Sequence, residues 1–248
     1  MSEKNLRVVL AYDGTDFSGW QVQANERTIQ GEVERVLSEL HGRGIRIHAA
    51  GRTDSGAHAA GRVISFRAVS TIPIAAFARA MNSRMSRDVR AISCDEVADT
   101  FHARYSARWR EYKYYLESAE YADPFSRRFV FTVKELPSAI ALDACSGRIV
   151  GTHDFSTFSA AGDQSESKVR IIKSASFYRE RRFLVFRIVG NAFLWKMVRS
   201  LVGTILECAR FDNTGAEFAQ RLEARNREAA GITAPAKGLI LSRVSYVE

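Results

Sequence analysis

The sequence predicts an α+β protein of two lobes with similar internal order. Three observations predict it. The order strand, helix, strand, strand, helix, strand is legible twice along the chain, and no Pro/Gly-rich linker separates the two runs. The length of 248 residues is enough to bury a full core, as one large domain or two small ones.

In the first run, the apolar stretch Leu6–Tyr12 reads as a strand. Thr28 is placed to cap a helix running to about Leu40, with Ile29, Val33, Val36, Leu37 and Leu40 on its buried face at helical spacing. Strands follow near 45–49 and 62–67. Pro73 opens a helix near 74–85, and a strand covers about 89–97. In the second run, Trp109–Glu117 is an alternating aromatic strand, and a helix starts near Pro137 and stops at Gly151. Strands are expected near 171–179 and 183–189. A long amphipathic helix follows over 192–209, then a helix near 215–226 and a last strand at 239–247.

Each run has the order of a split β-α-β, ferredoxin-like unit. The expected fold is therefore two pseudo-repeated ferredoxin-like α/β lobes, with antiparallel sheets around a basic central cleft. An N-terminal lobe over 1–105 would carry the Asp54 loop, and a C-terminal lobe over 106–248 would complete the cleft. The duplication is one of pattern, since no residue-by-residue repeat is visible.

Hydrophobic residues make up 46% of the chain and charged residues 26%, as in ordinary soluble globular proteins. No run of about 18 apolar residues suggests a membrane span, and the polar start Met1-Ser2-Glu3-Lys4-Asn5 does not read as a signal peptide. Cys94, Cys145 and Cys208 lie far apart without a C-x-x-C pair. Neither a zinc site nor a disulfide framework is expected, and a reduced cytoplasmic protein is. The net charge of +8, carried mostly by arginine with clusters such as Arg108-Trp109-Arg110 and Arg127-Arg128, points to a polyanionic partner, nucleic acid above all.

The segment Gly51-Arg52-Thr53-Asp54-Ser55-Gly56-Ala57-His58 sets one carboxylate in a glycine-flanked turn between two β-rich runs. Taken alone it reads as an ordinary Asx-type turn. It has the glycine spacing of a phosphate-binding loop, but Ala57-His58 stands where Lys-Ser/Thr is needed, and Asp54 would repel the anion. Gly42-Arg43-Gly44 lacks the third glycine of a dinucleotide fingerprint. Three further segments join Asp54: Tyr112 in Arg110-Glu111-Tyr112-Lys113-Tyr114, Arg199 on an otherwise apolar helix, and Lys237-Gly238-Leu239-Ile240-Leu241 near the end. Singly, each has a bland reading: strand aromatic, snorkelling arginine, core leucine.

Together with Phe101-His102-Ala103-Arg104-Tyr105, Asp154–Phe158 and Asn191–Gly203, these segments resemble the tRNA pseudouridine synthase A family, in the family's order and from Tyr12-Asp13-Gly14 to the end of the chain. The departures are mild, with Ser55 and Ala57 where other small residues are usual. The resemblance implies isomerisation of uridine to pseudouridine at positions 38, 39 and 40 in the anticodon stem-loop of tRNA. It implies no metal or organic cofactor, and a homodimer. It makes Asp54 the nucleophile, Arg52 the residue that helps displace the target nucleotide, and Tyr112 the aromatic that stacks on the flipped base. Arg199 would be the partner of the aspartate and Leu239 a lining residue of the base pocket. Phe101, His102, Ala103, Arg104 and Tyr105 would be substrate-binding.

The chemistry asks for such residues. A C–N glycosidic bond must break and a C–C bond form on a base taken out of its stack. An ionised carboxylate can attack C1′ or remove a ribose proton. Two other readings are weighed against this one. A noncatalytic RNA-binding protein would need no Asp54. A nucleoside-cleaving hydrolase would want a second acid, and none lies in the loop.

Overall fold

The computed structural model describes residues 2–211 and 214–247. The chain forms two compact units: the described residues up to Arg108 with those from Ile240 on, and Trp109–Leu239. The sequence division at 105/106 leaves residues 240–248 with the second lobe. By packing, the end of the chain returns to the first.

In the first unit, β1 (Lys4–Tyr12) lies between β3 (His58–Ala68) and β4 (Val89–Val97), antiparallel to both. The two-residue β2 (His48–Ala49) pairs with the far side of β3. The order β4-β1-β3-β2, with the first strand inside, is that of a split β-α-β unit. Ile240 and Leu241 of β10 (Leu239–Ser245) pair in parallel with His58 and Ala59.

Helix α1 (Ile29–His41) begins where expected, because the Thr28 hydroxyl accepts the Gly31 N–H at 3.3 Å. Ile29, Val33, Val36 and Leu37 are buried, whereas Leu40 is only half-buried. Glu34 is buried as well. Its carboxylate accepts from Gln30, Arg46 and the Ile47 N–H, while the Ile45 N–H goes to Ser38 Oγ. The 45–47 backbone is thus bonded to α1 and not to a ladder, so β2 is shorter than the expected 45–49. Helix α2 (Ile74–Asn82) buries Phe77 and Met81, with Phe77 6.0 Å from Phe66 of β3.

In the second unit, β5 (Trp109–Ser118), β9 (Phe183–Gly190), β8 (Val169–Glu180) and β7 (Gly151–Asp154) form an antiparallel sheet in that order. β5, β9 and β8 repeat the relation of β1, β3 and β2. The short β6 (Phe131–Val133) runs parallel to β5. Helix α3 (Ala139–Ser146) starts at the Ser138 cap and ends before Gly147, shorter than the expected 137–151. Helices α4 (Met197–Cys208) and α5 (Thr214–Glu223) complete the unit, with Phe158 stacked on Phe218 of α5 at 5.6 Å.

Helix α4 starts five residues later than its hydropathy suggests, because Lys196 stands at φ 61°. The preceding segment is held otherwise: the Trp195 N–H donates to the Asp163 carboxylate, and Asn191 Oδ1 accepts the Ile171 N–H. No helix among the described residues is long and apolar enough to cross a membrane.

Candidate active site residues

In the first unit, the chain leaves β2 and makes the Asp54 loop before entering β3. Asp54 through Ala57 is a turn closed by the Ala57 N–H donating to the Asp54 carbonyl at 3.1 Å, with Gly56 at φ 75°. An L side chain at that φ is strained, which is why glycine stands there. The turn is tied from outside by the Ser55 hydroxyl and the Gly56 N–H, both donating to the Phe17 carbonyl. The Trp20 N–H donates to the Thr53 carbonyl at 3.1 Å. Arg52 is exposed, Thr53 buried and Asp54 half-buried.

Beneath the loop lies a polar group the sequence reading missed. Arg62, on β3, is wholly buried. Its Nε and Nη2 donate to the Tyr12 hydroxyl at 3.3 and 3.1 Å, and its Nη1 donates to the Gly51 carbonyl at 2.7 Å. The guanidinium lies 4.8 Å from the centre of the Trp20 ring. Tyr12 Oη is 2.8 Å from Thr53 Oγ1. Since the Tyr12 oxygen accepts twice from Arg62, its one proton goes to Thr53. A buried charge is thereby solvated by a hydroxyl, a carbonyl and a π face, and the backbone on the N-terminal side of Asp54 is fixed. The signal was in the register: Arg62 alternates with buried Ile64 and Phe66.

The stretch Phe101–Tyr105 divides by environment. Ala103 is fully buried, donating its N–H to Ser65 Oγ at 3.0 Å and accepting from the Tyr246 hydroxyl at 2.8 Å. Phe101 packs on Tyr246 at 4.8 Å. Arg104 and Tyr105 are exposed, and His102 is half-buried. Burial, with the neighbouring His48 and Arg104, holds the His102 imidazole below its usual pKa.

In the second unit, Tyr112 and Tyr114 share one face of β5, as the alternation predicts, and both are buried. Tyr112 meets Phe193 edge-on at 5.0 Å, a favourable arrangement for aromatic pairs. The Tyr114 hydroxyl donates to the Pro235 carbonyl at 2.7 Å. Burial pushes its phenol pKa up, opposed by the Arg199 guanidinium. Arg199, in the first turn of α4, donates from Nε to the Ala234 carbonyl at 2.8 Å, and the Ala234 N–H returns to the Arg199 carbonyl at 3.1 Å. Arg199 and Tyr114 therefore grip adjacent carbonyls of one strap. Gly238 closes against Tyr114, where a Cβ would stand 2.7 Å from the ring. Leu239 follows it, 6% exposed. Among the described residues, no group of three or more His, Cys, Asp or Glu side chains is placed to hold a metal ion.

These residues carry a wider likeness. A family profile described as tRNA pseudouridine synthase matches residues 8–106 and 147–247. The tRNA pseudouridine synthase A of Halalkalibacterium halodurans is 44% identical over 241 residues, covering 97% of this chain and 92% of its own. The tRNA pseudouridine synthase A of an Exiguobacterium species is 41% identical over 243 residues, covering 98% of both chains. That of Treponema denticola is 39% identical over 253 residues, covering all of this chain and 94% of its own. With the profile matching segments of both units and these relatives covering nearly the whole chain, the chain belongs to the tRNA pseudouridine synthase family.

Proposed function

We propose that this protein isomerises uridine to pseudouridine in tRNA, at positions 38, 39 and 40 of the anticodon stem-loop. The observation that carries the reading is the Asp54 turn, fixed by hydrogen bonds on both sides, in a chain of this family. Asp54 acts first, either by attacking C1′ as the C1′–N1 bond breaks or by taking the C2′ proton as uracil leaves. The uracil then turns, and its C5 bonds to C1′. In the first route the carboxylate is displaced; in the second the C2′ proton is returned. In both, C5 finally loses its proton and N1 gains one, so substrate and product have equal mass.

Arg52 helps displace the target nucleotide, and Tyr112 holds the detached planar base by its ring. Arg199 serves as partner of the carboxylate, and Leu239 lines the base pocket. The segment 101–105 meets the RNA, and the arginine surplus serves phosphate contacts. The reaction needs no cofactor, and the enzyme works as a cytoplasmic homodimer.

The test is incubation with unmodified tRNA transcripts, followed by carbodiimide mapping of pseudouridine and mass spectrometry of the RNA. Stops at positions 38–40 without base loss are expected. Free uracil, or stops elsewhere only, would overturn the assignment.

A further inference from the structure

The turn 101–106 of the first unit holds a column of rings at the surface. The His48 and His102 ring centres are 4.4 Å apart with 34° between their planes, and His102 and Tyr105 are 4.4 Å apart with 33°. Tyr105 remains 76% exposed at the end of the column, and the Arg104 guanidinium lies 5.6 Å from its ring centre. The turn is rigidly bonded. The His102 N–H donates to Ser106 Oγ at 3.0 Å, and the Ser106 N–H donates back to the His102 carbonyl at 2.9 Å. His102 Nδ1 accepts the Arg104 and Tyr105 N–H groups at 3.1 and 3.3 Å. An Nδ1 that accepts twice carries no proton, so the middle ring of the column is a neutral π face. Buried Ala103 anchors the turn from below.

A large aromatic ring displayed on a preorganised turn, backed by two more rings and flanked by a guanidinium, is suited to a flat partner beside a negative charge. Four arginines of the neighbouring sequence, Arg46, Arg52, Arg104 and Arg108, are exposed, against the two exposed carboxylates of Glu96 and Asp99. That surrounding suits a polyanion better than an apolar protein face. His48 is six residues from Asp54 in the chain, so the inner end of the column lies at most about 20 Å from the loop, a span of a few nucleotides.

We propose that His48, His102 and Tyr105 form a stacking platform for an unpaired base of the tRNA substrate, distinct from the base that is isomerised, with Arg104 on the adjoining phosphate. The inference rests on the tRNA-modifying function above and adds a second point of base recognition to it, including His48, which no motif singled out.

The test compares binding of an unmodified tRNA transcript by the wild-type protein and by Tyr105→Ala, Tyr105→Phe and Tyr105→Trp across a salt series. Loss of base stacking in Tyr105→Ala should weaken binding about 5- to 150-fold with the salt slope unchanged, since no charge is removed. Phe and Trp should bind within about 3-fold of wild type, because both keep a stacking face. Tyr105→Trp should also show tRNA-induced quenching of indole emission beyond that of the wild type. Tyr105→Ala binding at wild-type strength overturns the platform, as does a loss accompanied by a change of oligomeric state in sedimentation, which would make Tyr105 a subunit contact. Should Tyr105→Ala fail to fold, the indole quench decides alone, and its absence overturns the proposal. A wild-type protein that neither binds tRNA nor forms pseudouridine removes the underlying function. One that does both while Tyr105→Ala matches it removes only the platform.

Discussion

The buried Arg62 guanidinium donates twice to the Tyr12 hydroxyl, at 3.3 and 3.1 Å, and that hydroxyl meets Thr53 immediately before Asp54. Strand β1 thus reaches the Asp54 loop through one phenol, and β3 reaches it through one guanidinium. Through Thr53 and the Gly51 carbonyl, the two groups position the backbone that carries Asp54.

Tyr12→Phe keeps the ring but leaves the buried cation one carbonyl and a π face. Removing hydrogen bonds from a buried charged group costs about 1.5–3 kcal/mol, and urea denaturation should show a loss in that range. The single-turnover rate should fall while tRNA affinity holds, because the loop loosens and the RNA contacts do not. The double variant Tyr12→Phe/Arg62→Leu should cost less than the sum of the two single changes, since each partner's removal strands the other. Strictly additive costs would mean the network does not act as a unit.

Asp54→Asn preserves volume and the turn but supplies no carboxylate. Pseudouridine formation should vanish while tRNA affinity by gel shift stays within a few-fold of wild type. Residual turnover of more than a few per cent would take Asp54 out of the nucleophile role.

The sequence was most legible where burial is periodic. The α1 face, the paired tyrosines of β5 and the repeated strand order follow from apolar spacing alone. It was least legible where polar side chains claim the backbone. Glu34 and Ser38 take the N–H groups that would have lengthened β2. Asp163 and a left-handed Lys196 delay α4. β6 and β7, of three and four residues, are too short to show a period. In the candidate site, Asp54 and its turn were legible as a motif. Arg62 was not, because an arginine in a strand reads as exposed unless its register with Ile64 and Phe66 is followed.

Asp163 yields a prediction about pH. Its side chain is 4% exposed and paired with Lys168 at 2.6 Å. Burial alone would raise its pKa, but Lys168 and the N–H groups of Trp195 and Ser165 hold it well below the usual carboxylate range. A depressed folded pKa gives stability that is full above the unfolded value, near 4, and is lost as pH falls toward the folded one. The gap in melting temperature between wild type and Asp163→Asn should therefore be constant from pH 7 to about 5 and narrow below about 4. A gap of equal size at pH 3 would show that the charge of Asp163 contributes nothing.

Tyr112 is held edge-on to Phe193 at 5.0 Å and is 8% exposed, so a structural and a catalytic role must be separated. Stacking on a flipped base is worth about 1–3 kcal/mol, and Tyr112→Ala should cost at least that in the single-turnover rate with saturating enzyme. Tyr112→Phe keeps both the Phe193 contact and the stacking face. If the ring does the work, Phe retains most of the activity; if the hydroxyl moves the C5 proton, Phe loses about 10²-fold or more. A purely structural residue behaves differently: Tyr112→Ala would lower the melting temperature and tRNA affinity together, with the single-turnover rate of the bound complex untouched. Phe193→Leu serves as the internal control, since it removes the edge-on partner and leaves the Tyr112 ring available. It should lower the melting temperature more than the rate. A folded Tyr112→Ala variant turning over at the wild-type rate would end the active-site assignment of this tyrosine.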